Sequence, residues 1–202
     1  MLIIYKKIIS RRTIRKFKQE KIRLALLKRF INAARLAPSA ANLQPLEYLI
    51  ITKKNLREKI FANVSWAGYI KPEGNPKAGE EPMAYILVIV NKKINPESDK
   101  DIGASCQNIT LTALQEGIGC CWIESFNKVK LGKIFNIPKN YSIELILAMG
   151  YPAEKPRYLD IDKNSSIKYY KDSSGILNVP KRKLKDIIHF NVFKTMKLTD
   201  NL

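Results

Sequence analysis

The sequence predicts one domain that mixes helices and strands in an irregular order. Three observations lead there. Two segments, 21–37 and 102–116, carry apolar and small residues at helical spacing. Apolar runs of strand length, at 46–52, 85–90 and 142–149, lie among the helical segments without a repeating strand–helix unit. Hydrophobic residues make up 46% of the 202-residue chain, enough for a real core and too many for a disordered one. No Gly-x-Gly-x-x-Gly follows a strand, and no phosphate loop ends in Gly-Lys-Ser/Thr, so the common nucleotide-binding fingerprints are absent.

In order along the chain, Tyr5 to Ser10 forms one or two turns of helix ending in Ser10-Arg-Arg-Thr-Ile-Arg-Lys-Phe17. Lys21 to Ala37 is a helix with Ile22, Leu26, Phe30, Ala33 and Ala37 on one side, stopped by Pro38. Pro38-Ser-Ala-Ala-Asn-Leu-Gln-Pro45 is a tight loop of small residues between two prolines. Leu46 to Thr52 reads as a buried strand and Lys54 to Phe61 as a short amphipathic helix. Residues 62–82 are long, irregular and rich in Gly and Pro, and loops of that length often carry function.

Tyr85 to Val90 is an apolar strand. Ile102 to Glu116 is the second long helix, with Asp99 or Asp101 as the expected N-cap and Gly117 at its C-terminal end. Apolar and small residues go most of the way round it, which predicts a central position or cover by a partner. Gly119 to Ser125 is a strand, Lys128 to Phe135 a short helix, and Ser142 to Met149 a strand closing at Gly150-Tyr-Pro152. Residues 153–179 read as irregular. Pro180-Lys-Arg-Lys183 leads into a helix around Leu184 to His189 and then an apolar tail with few partners of its own.

No apolar run approaches the ~20 residues of a membrane span, and the first nine residues do not form a secretory signal. The three cysteines, Cys106, Cys120 and Cys121, have no zinc-like spacing. They read as reduced core thiols, with Cys120 and Cys121 on opposite faces of a strand, and point to a cytoplasmic location. The net charge of +18 raises the question of nucleic acid, but the lysines are spread over the whole chain without a basic block, which argues against it.

Lysine is the default cation: 27 Lys stand against nine Arg, and three of the nine fall at positions 11, 12 and 15. Arg presents a planar fork suited to phosphate or carboxylate, so the cluster suggests an anionic ligand, against the plainer reading of a solvated helix end. Lys181-Arg182-Lys183 supplies a second basic point, and the 38–45 loop offers close backbone approach to a flat ring. Side-chain chemistry is sparse. The single histidine, His189, sits beside Ile187 and Ile188; no catalytic triad and no metal cluster can be assembled. A bound cofactor is therefore expected to carry any reaction.

Residues 10–17 together with Ala34-Arg-Leu-Ala-Pro-Ser-Ala-Ala-Asn-Leu-Gln-Pro45 resemble the nitroreductase family of FMN-dependent oxidoreductases. Asp101-Ile-Gly-Ala-Ser-Cys-Gln-Asn-Ile109, Gly117-Ile-Gly-Cys-Cys-Trp-Ile123, Gly150-Tyr-Pro152 and Pro180-Lys-Arg-Lys-Leu184 agree in order and spacing. The resemblance implies a three-layer α/β/α fold of the α+β class, with a mainly antiparallel mixed sheet. It implies an obligate-type homodimer with FMN at the subunit interface. Residues 1–190 would form the FMN-binding domain, and 191–202 a tail on the partner subunit.

By the same resemblance, Arg11, Arg12, Thr13 and Arg15, joined by Lys181 and Arg182, would hold the phosphate and ribityl chain. Pro38, Ser39, Ala40, Asn42 and Gln44 would come from the partner, and Glu124 and Ser125 would lie along the ring edge. Ala40 stands where a second Ser is common, Leu46 where Trp is common, and Ser125 where Gly is frequent. The activity implied is hydride transfer from NADH or NADPH through FMN to a small flat acceptor such as a nitroaromatic or quinone. Alternatives are other flavin chemistry on the same fold (dehalogenation, heterocycle dehydrogenation, flavin breakdown) or a non-catalytic flavin- or nucleic-acid-binding protein.

Overall fold

The computed structural model describes residues 3–193. It divides into two compact units, Met1–Pro156 and Arg157–Leu202.

The first unit is built on a four-stranded antiparallel sheet of β1 (Leu46–Ile51), β2 (Ala84–Asn91), β3 (Gly119–Ile123) and β4 (Tyr141–Gly150). The strand order is β1-β2-β4-β3. β2 is buried from Ala84 to Val90, which explains its unbroken apolar run: both of its faces are covered. Ile86, Val88 and Val90 share one cluster with Leu145, Leu147 and Met149, together with Leu27 and Phe30 of α2 (Leu24–Ala34) and Cys106 and Ile109 of α4 (Asp99–Gln115). Tyr85, Leu87 and Ile89 share the other with Ile146 and Ala148, Ile60 of α3 (Lys54–Phe61) and Leu131 of α5 (Lys128–Ile134). The result is three layers, helices on both faces of the sheet. Ile143 and Ile146 are three apart yet lie in the same cluster, because Val88 pairs Leu145 while Ile89 pairs Ile143 and Glu144 bulges out between them. Cys120 and Cys121 fall in opposite clusters, as strand alternation requires.

The helix α1 (Ile3–Ser10) precedes the Arg cluster and has no buried residue. The predicted helix 21–37 is shorter than its apolar pattern. Arg23 is extended (φ −62°, ψ 134°) and its carbonyl starts the helix, while Pro38 disfavours helical geometry at Ala37. The N-cap expectation at α4 needs correction. Ser98 holds that position, and Asp99 and Asp101 lie in the first turn, where the helix dipole favours negative charge. Gly117 ends the segment at φ 73°, a value glycine adopts without strain.

Residues 153–179 also need correction: they are not irregular throughout. The second unit contains β5 (Arg157–Ile161), β6 (Tyr170–Lys171) and β7 (Leu177–Arg182), ordered β5-β7-β6. β5 and β7 are parallel, β6 and β7 antiparallel. β5 and β6 are largely exposed, and β7 buries Leu177, Asn178 and Pro180 without alternating, so hydrophobic alternation could not mark them. A polar network binds them instead. The Arg157 guanidinium donates to Asn178 Oδ1 (2.7 Å) and Asp172 Oδ2 (2.8 Å), and Asn178 Nδ2 donates to Asp172 Oδ2 (2.9 Å). Pro180, Lys181 and Arg182 belong to β7, and the helix expected to reach His189 is a single 3-10 turn, Leu184–Asp186. Of the 191–202 tail, residues 194–202 lie outside the described residues.

Candidate functional site

Two glycines fix the Arg cluster to the sheet. Gly119 and Gly150 face each other across the β3–β4 ladder. A Cβ on Gly119 would lie 2.7 Å from Ile14 Cβ, and one on Gly150 would lie 2.8 Å from Phe17 Cβ. Ile14 and Phe17, both buried, therefore seat directly on the sheet backbone. Hydrogen bonds lock the segment there. Ile14 N–H donates to the Cys120 carbonyl (3.0 Å), Lys18 N–H to Tyr151 (2.8 Å), and Ala153 N–H to Lys16 (2.9 Å). Glu154 completes the clamp, its Oε1 accepting from the N–H groups of Arg15 (2.6 Å) and Lys16 (3.2 Å).

Arg11 and Arg12 line a cavity of about 190 Å³ with Thr110, Cys120 and Lys155. Arg12 folds back on the C-terminal end of α1, its guanidinium donating to the Ile9 carbonyl (2.6 Å) and to the Arg11 carbonyl. Arg side chains commonly satisfy the last carbonyls of a helix in this way. Thr13 and Arg15 are half-buried beside them.

A second cavity, of about 430 Å³, is lined by Gly103 and Asp99 of α4, by Trp122 and Glu124, and by Glu144. The indole of Trp122, 38% exposed, donates to Thr110 Oγ1 (2.9 Å). The two cavities thus follow α4 and β3, from Leu114 at the basic one to Gly103 at the other, about 16 Å of helix. Glu124 and Ser125 are exposed where β3 ends, and the Ser125 carbonyl accepts from Ser65 N–H (2.8 Å).

The 38–45 loop lines a third cavity, of about 150 Å³, with Tyr48, Asp101 and Ser105. Its backbone is unusual. Ala41, Asn42 and Gln44 have φ of 48°, 56° and 52°, in the left-handed region that side chains resist. Buried Asp101 holds the loop, accepting from the Ser39 hydroxyl and from Ala40 N–H (3.2 Å). Ser39 Oγ in turn accepts from Gln44 N–H (2.9 Å), and Gln44 Nε2 donates to Asn42 Oδ1 (3.0 Å).

The expected residues therefore fall into separate places. Arg11 and Arg12 gather at one cavity, Glu124 lines another, and Pro38, Ser39 and Gln44 line a third, with Ala40 and Asn42 on the same loop. Lys181 and Arg182 are exposed on β7 of the second unit. Sequence reasoning missed Lys155, Glu154, Asp101 and the Thr110–Trp122 pair. Asp101 carried a signal, an acid in a first helical turn, but it read as a cap. The others meet their partners only through the fold.

None of the three thiols is poised for chemistry. Burial pushes Cys106 and Cys120 up to about 12 and Cys121 up to about 11, so all stay protonated near neutrality. Among the described residues no group of three or more His, Cys, Asp or Glu could hold a metal. No described helix is long and apolar enough to cross a membrane.

A layered α+β unit with an arginine cluster clamped to paired strand glycines defines the class. The chain belongs to the nitroreductase family, which it matches over residues 8–151. It is 28% identical over 176 residues to an iodotyrosine deiodinase of Thermotoga neapolitana, covering 78% of this chain and 94% of the relative. It is 24% identical over 177 residues to an NADH dehydrogenase of Thermus thermophilus, covering 73% and 85%. The fold is similar to that of an FMN-dependent nitroreductase from Clostridium difficile R20291, with a TM-score of 0.64, 24% identity, and coverage of 95% of this chain and 100% of that one.

Proposed function

We propose that the protein is an FMN-dependent NAD(P)H oxidoreductase that works as a homodimer on small flat acceptors. The cavity lined by Arg11, Arg12 and Lys155 carries this reading, because three cationic donors suit a phosphate group; its one carboxylate, Glu154, is engaged by the N–H groups of Arg15 and Lys16. Thr13 and Arg15 are its neighbours on the same clamped segment, with Lys181 and Arg182 as further phosphate ligands. β3 is an edge strand of the sheet, so its outer edge keeps backbone groups for a ligand, and Glu124 and Ser125 end it. When bound, FMN supplies two-electron chemistry between NADH or NADPH and an acceptor such as a nitroaromatic or quinone.

The protein's part is to bind, orient and exclude water. Its thiols are protonated and buried, so it offers little competing chemistry of its own. Dimerisation is supported by α1, whose Ile3, Ile4 and Ile8 are exposed together, and by the 38–45 loop, which Pro38, Ser39, Ala40, Asn42 and Gln44 would present to the partner's flavin. Free buried thiols support a cytoplasmic setting.

A second reading, reductive dehalogenation on the same flavin, is favoured by the similarity to a deiodinase. The test is the visible spectrum of the purified protein mixed with FMN, followed anaerobically with NADH or NADPH and then with an acceptor series. Flavin bands that bleach, and return with a nitroaromatic or quinone, are expected. Return only with a halogenated phenol selects the second reading. A protein that takes up no FMN overturns both.

A further inference from the structure

We propose that Asp101 is a positioning residue, which sets flavin affinity by holding the 38–45 loop in a shape the loop would not keep alone. The inference rests on the flavin-binding reading above.

Three of four consecutive loop positions from Ala41 to Gln44 are non-glycine residues in the left-handed region. Backbone strain of this kind persists only where the surroundings over-determine it, and it gathers at functional sites. The flanking Pro38 and Pro45 restrict the ends of the loop but form no bond that enforces positive φ within it. Two backbone bonds, Asn42 N–H to the Ser39 carbonyl (2.9 Å) and Leu43 N–H to the Ala40 carbonyl (3.0 Å), close the turn, and the side-chain bonds that anchor it converge on one carboxylate. Asp101 takes the Ser39 hydroxyl on one oxygen and Ala40 N–H on the other, and Ser39 Oγ draws in Gln44 N–H from beyond the strained residues. The loop is thus closed on itself through a side chain of α4.

Asp101 is suited to this task. It is 4% exposed, lies in the first turn of α4 and, among the described residues, forms no ion pair, so the loop bonds are what satisfy its buried oxygens. Each of its two oxygens accepts one bond from the loop. The loop in turn exposes Asn42 and Gln44, whose side chains are tied to each other. Asp101 touches no ligand in this scheme. It fixes the backbone that does.

The test uses Asp101→Asn, which keeps the shape but replaces one acceptor by a donor. Flavin affinity, read by fluorescence quenching, is expected to fall about tenfold or more. Amide exchange at residues 40–44 of the flavin-free protein is expected to rise. Ser39→Ala, which removes a single hydroxyl, should do the same more mildly, and it serves if Asp101→Asn does not fold.

The deciding readout is rescue. Ala41→Gly removes left-handed strain, so in either variant it should restore part of the flavin affinity. A merely structural Asp101 would lower the melting temperature without altering exchange in the loop, and Ala41→Gly would restore nothing. Wild-type affinity and exchange in both variants would also overturn the proposal. A wild-type protein that binds no flavin would instead refute the functional reading, while the exchange arm still reports on the anchor.

Discussion

Gly119→Ala is the most direct test of how the Arg cluster is held. The added Cβ would lie 2.6 Å from Ile14 Cγ1 and 2.7 Å from Ile14 Cβ. A clash with a side-chain tip could be relieved by a rotamer change, but Ile14 Cβ is fixed to the backbone. Residues 14–17 must lift from β3, which weakens the Ile14 N–H to Cys120 carbonyl bond (3.0 Å). Overpacking of this kind costs about 1–3 kcal/mol and the lost bond about 1 kcal/mol. A total of about 2–4 kcal/mol lowers Tm by roughly 4–16 °C in a chain of this size. Arg11, Arg12 and Arg15 move with the segment, so FMN affinity should fall by about tenfold. Thermal melts of the flavin-free protein and a flavin titration read the two effects separately. Adding Ile14→Ala relieves only the Cγ contacts, so recovery should be partial. Unchanged Tm together with unchanged affinity would refute the close-approach argument.

Gly132, inside α5, gives the opposite expectation: a Cβ there meets nothing within 4 Å. Gly132→Ala should stabilise by about 0.5–1 kcal/mol, or roughly 1–4 °C in Tm, with flavin affinity unchanged. The buried thiols predict an alkaline limit. Their protons are held to about 11–12 in the fold but are released near 8.5 when unfolded. The folded state then binds more protons, so this stability is complete below about pH 8.5 and falls as pH rises toward 11. Denaturant midpoints across that range check the slope, and a thiol reagent should label all three cysteines only after unfolding.

The helices were legible because their burial is periodic, and the central strands because theirs is continuous. β2 and β4 are covered on both faces and read as apolar runs, and α3 sits within the bounds its pattern predicts. The second unit was illegible for the converse reason. β5 to β7 bury only a few apolar side chains, Ile161 and Leu177 among them, and are tied together by Arg157, Asp172 and Asn178; such polar networks have no period. Within the candidate site, the motifs located the segments, but not what supports them. Gly119 and Gly150 could be read as strand ends, yet their role depends on Ile14 and Phe17, more than a hundred residues earlier in the chain. Asp101 lies 62 positions from Ser39, and Glu154 lies 139 from Arg15.

The scarcity of arginine marks fixed forks more than it marks ligands. Arg57 joins the Thr52 and Pro82 carbonyls (3.1 and 2.6 Å) and so ties the far end of the long 62–82 loop to the chain just after β1. Arg29 reaches Glu116 (2.6 Å), Arg35 reaches Asn32 (2.8 Å), and Arg157 ties two strands. Even Arg12 spends part of its fork on α1. A planar guanidinium that makes two directed bonds suits such bridging better than a lysine ammonium does. What distinguishes residues 11–15 is therefore not that they are arginines in a lysine-rich chain. It is that their segment is clamped to paired glycines beside a cavity that Lys155 also lines. Arg12, held by carbonyls at the end of α1, is already fixed at that cavity, so in the proposed site less side-chain freedom would be lost on binding an anion.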